Sequence, residues 1–151
     1  MTPDRLADLH RLAFTAERPW SAAEFTPLLD SPFVSLFAHP HGFALARTVA
    51  GESELLTLAV DPSYQRQGIG RNLVNDWLET ASAHAERAFL DVASDNIPAI
   101  SLYSALGFAQ VGQRRAYYAR KDAPAADALL MQRCLTFGQG AESASQTPEI
   151  G

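Results

Sequence analysis

The sequence predicts an α/β domain built on a mixed sheet, and three observations carry that expectation. Strand-like runs precede helical stripes and then alternate with them. One of those strands passes through a short glycine-bearing loop directly into a long amphipathic helix. The chain has 151 residues, enough for one domain with a full core and too few for two ordinary ones.

The elements follow in order. Leu6, Leu9, His10, Ala13 and Phe14 recur at helical spacing, which predicts a helix over residues 4–16. Ser21 caps a second helix, with Glu24 three positions on as in a capping box, and Ser31-Pro32 stops it near Asp30. Two strands are expected at 33–37 and 42–49, either side of the turn-rich stretch His39-Pro40-His41-Gly42. A third runs over 53–60 and ends at Asp61-Pro62. The long helix is expected over 68–85, with Leu73, Val74, Trp77, Leu78 and Ala81 as its apolar stripe. A short buried strand at 88–93, a helix at 97–106 stopped by Gly107, and strands at 109–119 and 128–135 complete a domain covering 1–137. Beyond it the hydrophobic pattern fades, so 138–151 is expected to be a disordered tail.

Composition excludes several classes. Hydrophobic residues make up 47% and charged residues 19%, as in folded soluble proteins. No apolar run approaches the roughly 18 residues of a membrane span. The start, Met1-Thr2-Pro3-Asp4-Arg5, does not read as a secretory signal. Cys134 is the single cysteine, so no internal disulfide forms, and neither it nor the scattered His10, His39, His41 and His84 shows metal-ligand spacing. A cytoplasmic protein without a metal is expected. The net charge is −5 with one lysine, Lys121, which argues against nucleic acid and suits a cationic partner such as a protonated amine. Whether the chain is a monomer or a dimer stays open.

The stretch from Val60 to Arg71 is the most informative. A strand, a loop containing Gly68 and Gly70, and a helix follow one another directly. The first N–H groups of a helix lack intrahelical partners and the helix dipole favours an anion there. Glycines let the backbone approach a phosphate, and Arg66 and Arg71 add charge. Two glycines alone more often make only a tight turn before a helix. The third glycine of the dinucleotide fingerprint and the Gly-Lys-Ser/Thr ending of a P-loop are both absent.

Gln65-Arg66-Gln67-Gly68-Ile69-Gly70 resembles the pyrophosphate loop of the GNAT N-acetyltransferases, whose form is Gln/Arg-x-x-Gly-x-Gly/Ala. The block from Asn96 to Phe108, with Leu102-Tyr103 and Gly107-Phe108, is similar to the family's second signature. Arg18-Pro19-Trp20-Ser21, Ala59-Val60-Asp61-Pro62 and Arg114-Arg115-Ala116-Tyr117-Tyr118 are similar to segments of its RimI type, the ribosomal protein alanine N-acetyltransferases. The resemblance implies the acyl-CoA N-acyltransferase fold: a central mixed sheet flanked by helices, with parallel strands ending near Val60 and Ala93 that splay apart. It implies acetyl-CoA as co-substrate. The cofactor contacts would be Leu58, Ala59, Val60, Arg66, Gln67, Gly68, Ile69, Gly70, Arg71 and Asn96. Tyr103 would be the general acid. Asp91 stands where RimI-type enzymes carry a glutamate base and reaches about 1.5 Å less, one C–C bond. It is equally readable as a strand-end residue satisfied by local N–H groups, and Asn96 as a helix cap that Asp95 would serve as well. Trp20, Tyr117 and Tyr118 would face the acceptor, although Trp20 alone reads as a core or lid residue.

The resemblance implies acetyl transfer to an amine: a protein N-terminus, such as that of a ribosomal protein, or a small-molecule amine. A non-catalytic acetyl-CoA-binding module and an acetyltransferase toxin acting on charged tRNA are the other readings.

Overall fold

Capping residues set the first two helices. In the computed structural model, which describes residues 1–135, α1 (Pro3–Ala13) starts at Thr2, whose hydroxyl accepts the Arg5 N–H at 3.2 Å. It ends at Ala13, short of the expected 16, because Phe14 turns extended (φ −106°, ψ 91°) and stacks its ring on His10 at 4.2 Å. The expected capping box starts α2 (Ala22–Asp30), with reciprocal bonds between Ser21 and Glu24.

Strands β1 (Val34–His39), β2 (Gly42–Val49) and β3 (Glu52–Val60) form an antiparallel meander, joined by two-residue turns at Pro40-His41 and Ala50-Gly51. After a 3-10 turn at Pro62–Tyr64 come α3 (Ile69–Ala81), β4 (Arg87–Ala93), α4 (Ile97–Ala105), β5 (Ala109–Tyr118) and β6 (Ala126–Cys134). Helix α3 is shorter than the expected 68–85. The Ser82 hydroxyl bonds the Leu78 carbonyl at 2.7 Å, and the N–H groups of His84 and Ala85 both turn back to Ala81. The expected tail at 138–151 and the last two residues of the expected domain lie outside the described residues.

The six strands form one sheet in the order β1-β2-β3-β4-β6-β5, mixed because only β3 and β4 run parallel. Helices cover both faces, as the alternating strand pattern requires. On one side Leu73, Val74 and Trp77 of α3 pack against Ala44, Leu90 and Val92. On the other, Leu6, Leu9 and Phe25 of α1 and α2 meet Phe43, Leu45 and Ala59. Trp77 is 1% exposed, and its indole N–H donates to the buried Ser53 hydroxyl at 2.8 Å. That bond ties the later half of α3 to the start of β3 and leaves the α3 N-terminus at the strand's far end.

Beside that end the sheet opens. The β3–β4 ladder runs from Glu52↔Arg87 to Glu54↔Phe89 and stops. Directly afterwards the β2–β3 register shifts: Ala46 faces Leu55, Leu45 faces Thr57, and Leu56 is the extra residue. Such a bulge bends its strand. The bend coincides with the end of the ladder, and the expected splay of the two parallel strands is found.

Candidate active site

The splay leaves polar backbone without a strand partner. The Asp61 N–H bonds the His41 carbonyl at 2.9 Å, which fixes the alternation of the antiparallel ladder: residues 57, 59 and 61 exchange bonds with β2. The N–H and C=O groups of Leu58 and Val60 therefore face the side that β4 has left. Ala59 differs from its neighbours, with its backbone turned to β2 and its methyl 1% exposed under α1 and α2. Of the three expected strand contacts, Leu58 presents both backbone groups and Val60 its N–H to the cleft, the Val60 carbonyl accepting from Gln65. The Gln65 amide lies 3.5 Å from the Val60 carbonyl.

Where β3 ends, the loop into α3 forms a concave row of donors. Among the described residues, the backbone N–H groups of residues 66–71 make no hydrogen bond; the first helical bond is from Asn72 to Gly68 at 3.0 Å. Arg66 (φ 67°) and Gly68 (φ 80°) adopt left-handed conformations, which curl the chain so that successive N–H groups converge. A Cβ built on Gly68 meets nothing within 4 Å, so the space above it is open. Gly70 is different. Its Cβ would point into the protein, at ordinary contact distance from Leu102 (3.5 Å) and Val60 (3.8 Å), and away from the open side of the loop. The expectation that Gly70 clears an anion's path is corrected: only its N–H belongs to the cradle. Ile69 likewise sends its side chain into the core. Gln67, Arg66 and Arg71 are exposed, neither arginine pairs with a carboxylate among the described residues, and no acidic residue occupies the first turn of α3. A diphosphate fits this loop, and an extended amide chain fits the free edge of β3 beside it.

Across the cleft, α4 carries Tyr103, 6% exposed, with its ring edge-on to Phe108 at 5.9 Å. Its hydroxyl has no hydrogen-bond partner among the described residues. Burial pushes its pKa well above the usual phenol value, with Tyr118 adding to the effect. Asp91 lies on β4 between the buried Leu90 and Val92, so its carboxylate projects from the opposite face, toward the side of α1 and α2. It accepts no hydrogen bond among the described residues, and the local N–H partners of the strand-end reading are not found.

Tyr118 joins these groups. It is half-buried, and its pKa is raised by burial first and then by the carboxylates of Glu17 and Asp91. A break in β5 puts it there: the register shifts between Arg114 and Tyr118, Ala116 takes φ 50°, and the Ala116 N–H donates to Asp127 at 2.8 Å. Tyr117 is 51% exposed, stands edge-on to Tyr118 at 5.0 Å, and lies 5.4 Å from the Arg114 guanidinium.

The structure gives His10 and Asp95 partners that sequence patterns did not assign, and shows what Trp20 and Asn96 bond. The buried His10 ring accepts the Trp20 N–H at Nδ1 (3.0 Å), so its proton sits on Nε2 and is donated to Thr57 at 3.1 Å. Trp20 stacks on that ring at 5.0 Å and is partly buried. Asn96 caps α4 by accepting the Ala99 N–H at 3.3 Å, while Asp95 binds Arg120 instead. Helical spacing singled out His10 as a core-facing position, and the sequence offered Asp95 only as an alternative cap for α4; nothing in it marked Glu17 or Arg120.

Among the described residues no cluster of metal-ligating side chains occurs and no helix is long and apolar enough to cross a membrane. The site thus offers a row of free backbone N–H groups, a free strand edge, and a buried phenol and a carboxylate that make no hydrogen bond among the described residues. A row of free backbone donors at a helix start suits a phosphate-bearing ligand.

Comparison with known proteins agrees. The acetyltransferase (GNAT) family model matches residues 4–108. The chain is 37% identical over 144 residues to N-alpha-acetyltransferase RimI of Mycobacterium tuberculosis, covering 85% of this chain and 84% of that protein. It is 36% identical over 139 residues to an uncharacterized protein of Mycobacterium leprae, of whose length it spans 37%. The crystal structure of the ribosomal-protein-S18-alanine N-acetyltransferase from Escherichia coli superposes with a TM-score of 0.79 at 28% identity, covering 91% of this chain and 90% of that one.

Proposed function

The chain belongs to the acetyltransferase (GNAT) family of acetyl-CoA-dependent enzymes, and we propose that its acceptor is the α-amine at a protein N-terminus, in the manner of the RimI type. An N-terminal alanine of a ribosomal protein, acetylated in the cytoplasm, is the expected substrate. The observation that carries this reading is the Asp91 carboxylate, which accepts no hydrogen bond among the described residues, on β4 where it splays from β3.

Acetyl-CoA supplies the activated acyl group as a thioester. The N–H groups of residues 67–71 hold its pyrophosphate, with Arg66 and Arg71 adding charge, and Leu58 and Val60 receive the pantetheine amides. A backbone N–H of this free edge is a fixed donor for the thioester oxygen as negative charge grows there. Tyr103 keeps its proton at neutral pH, because burial disfavours the phenolate, and gives it to the departing sulfur. Asp91 takes the proton of the amine, directly or through one water. The shorter aspartate suffices for an α-amine: with a pKa of about 8, roughly a tenth of it is already neutral at pH 7, whereas a lysine amine near 10.4 is almost wholly charged.

The test is acetylation of peptides that differ only at the first residue, beside an N-blocked peptide containing lysine and a panel of small amines. Free N-termini, alanine foremost, should be acetylated and the blocked peptide should not. Turnover of the blocked peptide, or of small amines alone, overturns the reading.

A further inference from the structure

Arg120 lies in the connection between β5 and β6, two positions beyond Tyr118, and its guanidinium gathers two distant segments. Nε and Nη2 donate to the two oxygens of Asp95, both at 2.8 Å. Nη1 donates to the Ala119 carbonyl at 3.0 Å and the Ala16 carbonyl at 3.4 Å, and Nη2 stands 3.5 Å from a Glu17 oxygen. The side chain is only 10% exposed, and its Cζ lies 5.9 Å from the Tyr118 ring centroid. Asp95 belongs to the turn between β4 and α4, beside the Asn96 cap of the helix that carries Tyr103. Ala16 and Glu17 belong to the loop between α1 and α2, which also carries Trp20. One cation thus bridges two lips of the opening onto which Asp91 and Tyr118 face.

We propose that Arg120 is a positioning residue for the acceptor, clasping the α1–α2 loop to the β4–α4 turn and so fixing the aperture through which the amine reaches Asp91. It acts through Glu17, Asp95 and Tyr118 and touches no reacting atom. The planar fork is what the task needs. It meets the Asp95 carboxylate with two parallel bonds and still has donors for the other lip, which a lysine ammonium on its flexible stem cannot reproduce in one geometry. The proposal rests on the acetyltransferase reading of the cleft, whichever amine is the acceptor.

Arg120→Ala, Arg120→Lys and Asp95→Asn test it by steady-state kinetics, acetyl-CoA calorimetry and amide hydrogen exchange. The kinetics use whichever amine the wild-type enzyme acetylates, so failure of the α-amine reading does not decide this test. Arg120→Ala should raise the acceptor KM about tenfold with kcat within about threefold and acetyl-CoA affinity unchanged. Exchange should quicken at residues 14–21 and stay unchanged in α3. Asp95→Asn should shift the same quantities less, and Arg120→Lys should recover part of the KM. If Arg120→Ala does not fold, Asp95→Asn carries the test. An unchanged acceptor KM in a folded variant overturns the proposal. So does a parallel loss of acetyl-CoA affinity, which would make Arg120 a general structural support.

Discussion

Tyr103 is buried and its hydroxyl has no partner among the described residues, a combination that costs stability unless something else uses the group. Removing that oxygen therefore separates fold from function. Tyr103→Phe should fold at least as stably as the wild type, bind acetyl-CoA equally, and lose kcat by roughly 10²-fold or more. Thermal melts, calorimetry and turnover measure the three, and a variant at full speed removes the proposed acid. Asp91 should behave differently. Asp91→Asn leaves proton removal to solvent, so its deficit should shrink above about pH 8, where the free α-amine dominates. Asp91→Glu should be tolerated, because it restores the length that RimI-type enzymes use. A pH–rate profile with an alanine-starting peptide decides; an Asp91→Asn enzyme equal to wild type at every pH would make Asp91 structural.

At the scale of elements, the loop from β3 to α3 depends on two glycines with unlike duties. Gly68 at φ 80° is left-handed and faces open space, so a side chain there meets no protein but stands in the cradle and strains the backbone. Gly70 faces Leu102 and Val60 at ordinary contact distance. Gly68→Val should weaken acetyl-CoA binding strongly in a folded protein. Gly70→Ala should leave affinity unchanged and add up to about 1 kcal/mol of helix stability, since alanine is the better helix former. Gly70→Val should act through packing, by forcing α3 away from α4. Calorimetry and melting of the three variants check this, and equal loss of affinity in Gly68→Val and Gly70→Ala would contradict the division of labour. The loop pattern itself was legible in the sequence. Its division was not, because spacing shows that a glycine is present and not which way its absent side chain would point.

For the whole molecule, the α1–α2 layer is held to the sheet partly by a neutral histidine. Burial lowers the His10 pKa to about 4, with Glu24 opposing and Arg18 adding to the shift. A histidine depressed in the folded state stabilises the fold above its unfolded pKa near 6.5, and that contribution is lost as pH falls through the folded value. The loss amounts to about 3 kcal/mol between pH 6.5 and 4. His10→Phe should be less stable at pH 7, having lost the bonds to Trp20 and Thr57, but its stability should fall less steeply over that window. Denaturant unfolding of both proteins at several pH values measures the difference. A stability gap that stays constant from pH 7 to pH 4 would show that His10 does not titrate on unfolding.

The sequence by itself determined the alternation of strands and helices, the donor loop ahead of α3, and the tyrosine and aspartate that resemble a family's acid and base. Each of these is written locally, in periodicity, capping residues or a short ordered motif. Helix ends strayed where tertiary contacts intervened, as when Phe14 left α1 to stack on His10. Only the tertiary structure decided that Leu58 and Val60, and not Ala59, present free backbone to the cleft, because that follows from the bulge at Leu56 and the pairing phase with β2. Only it brought Arg120 to Asp95 and Ala16, separated from it by 25 and 104 positions along the chain. A guanidinium's partners are chosen by which loops the folded sheet brings together, and no local pattern records that choice.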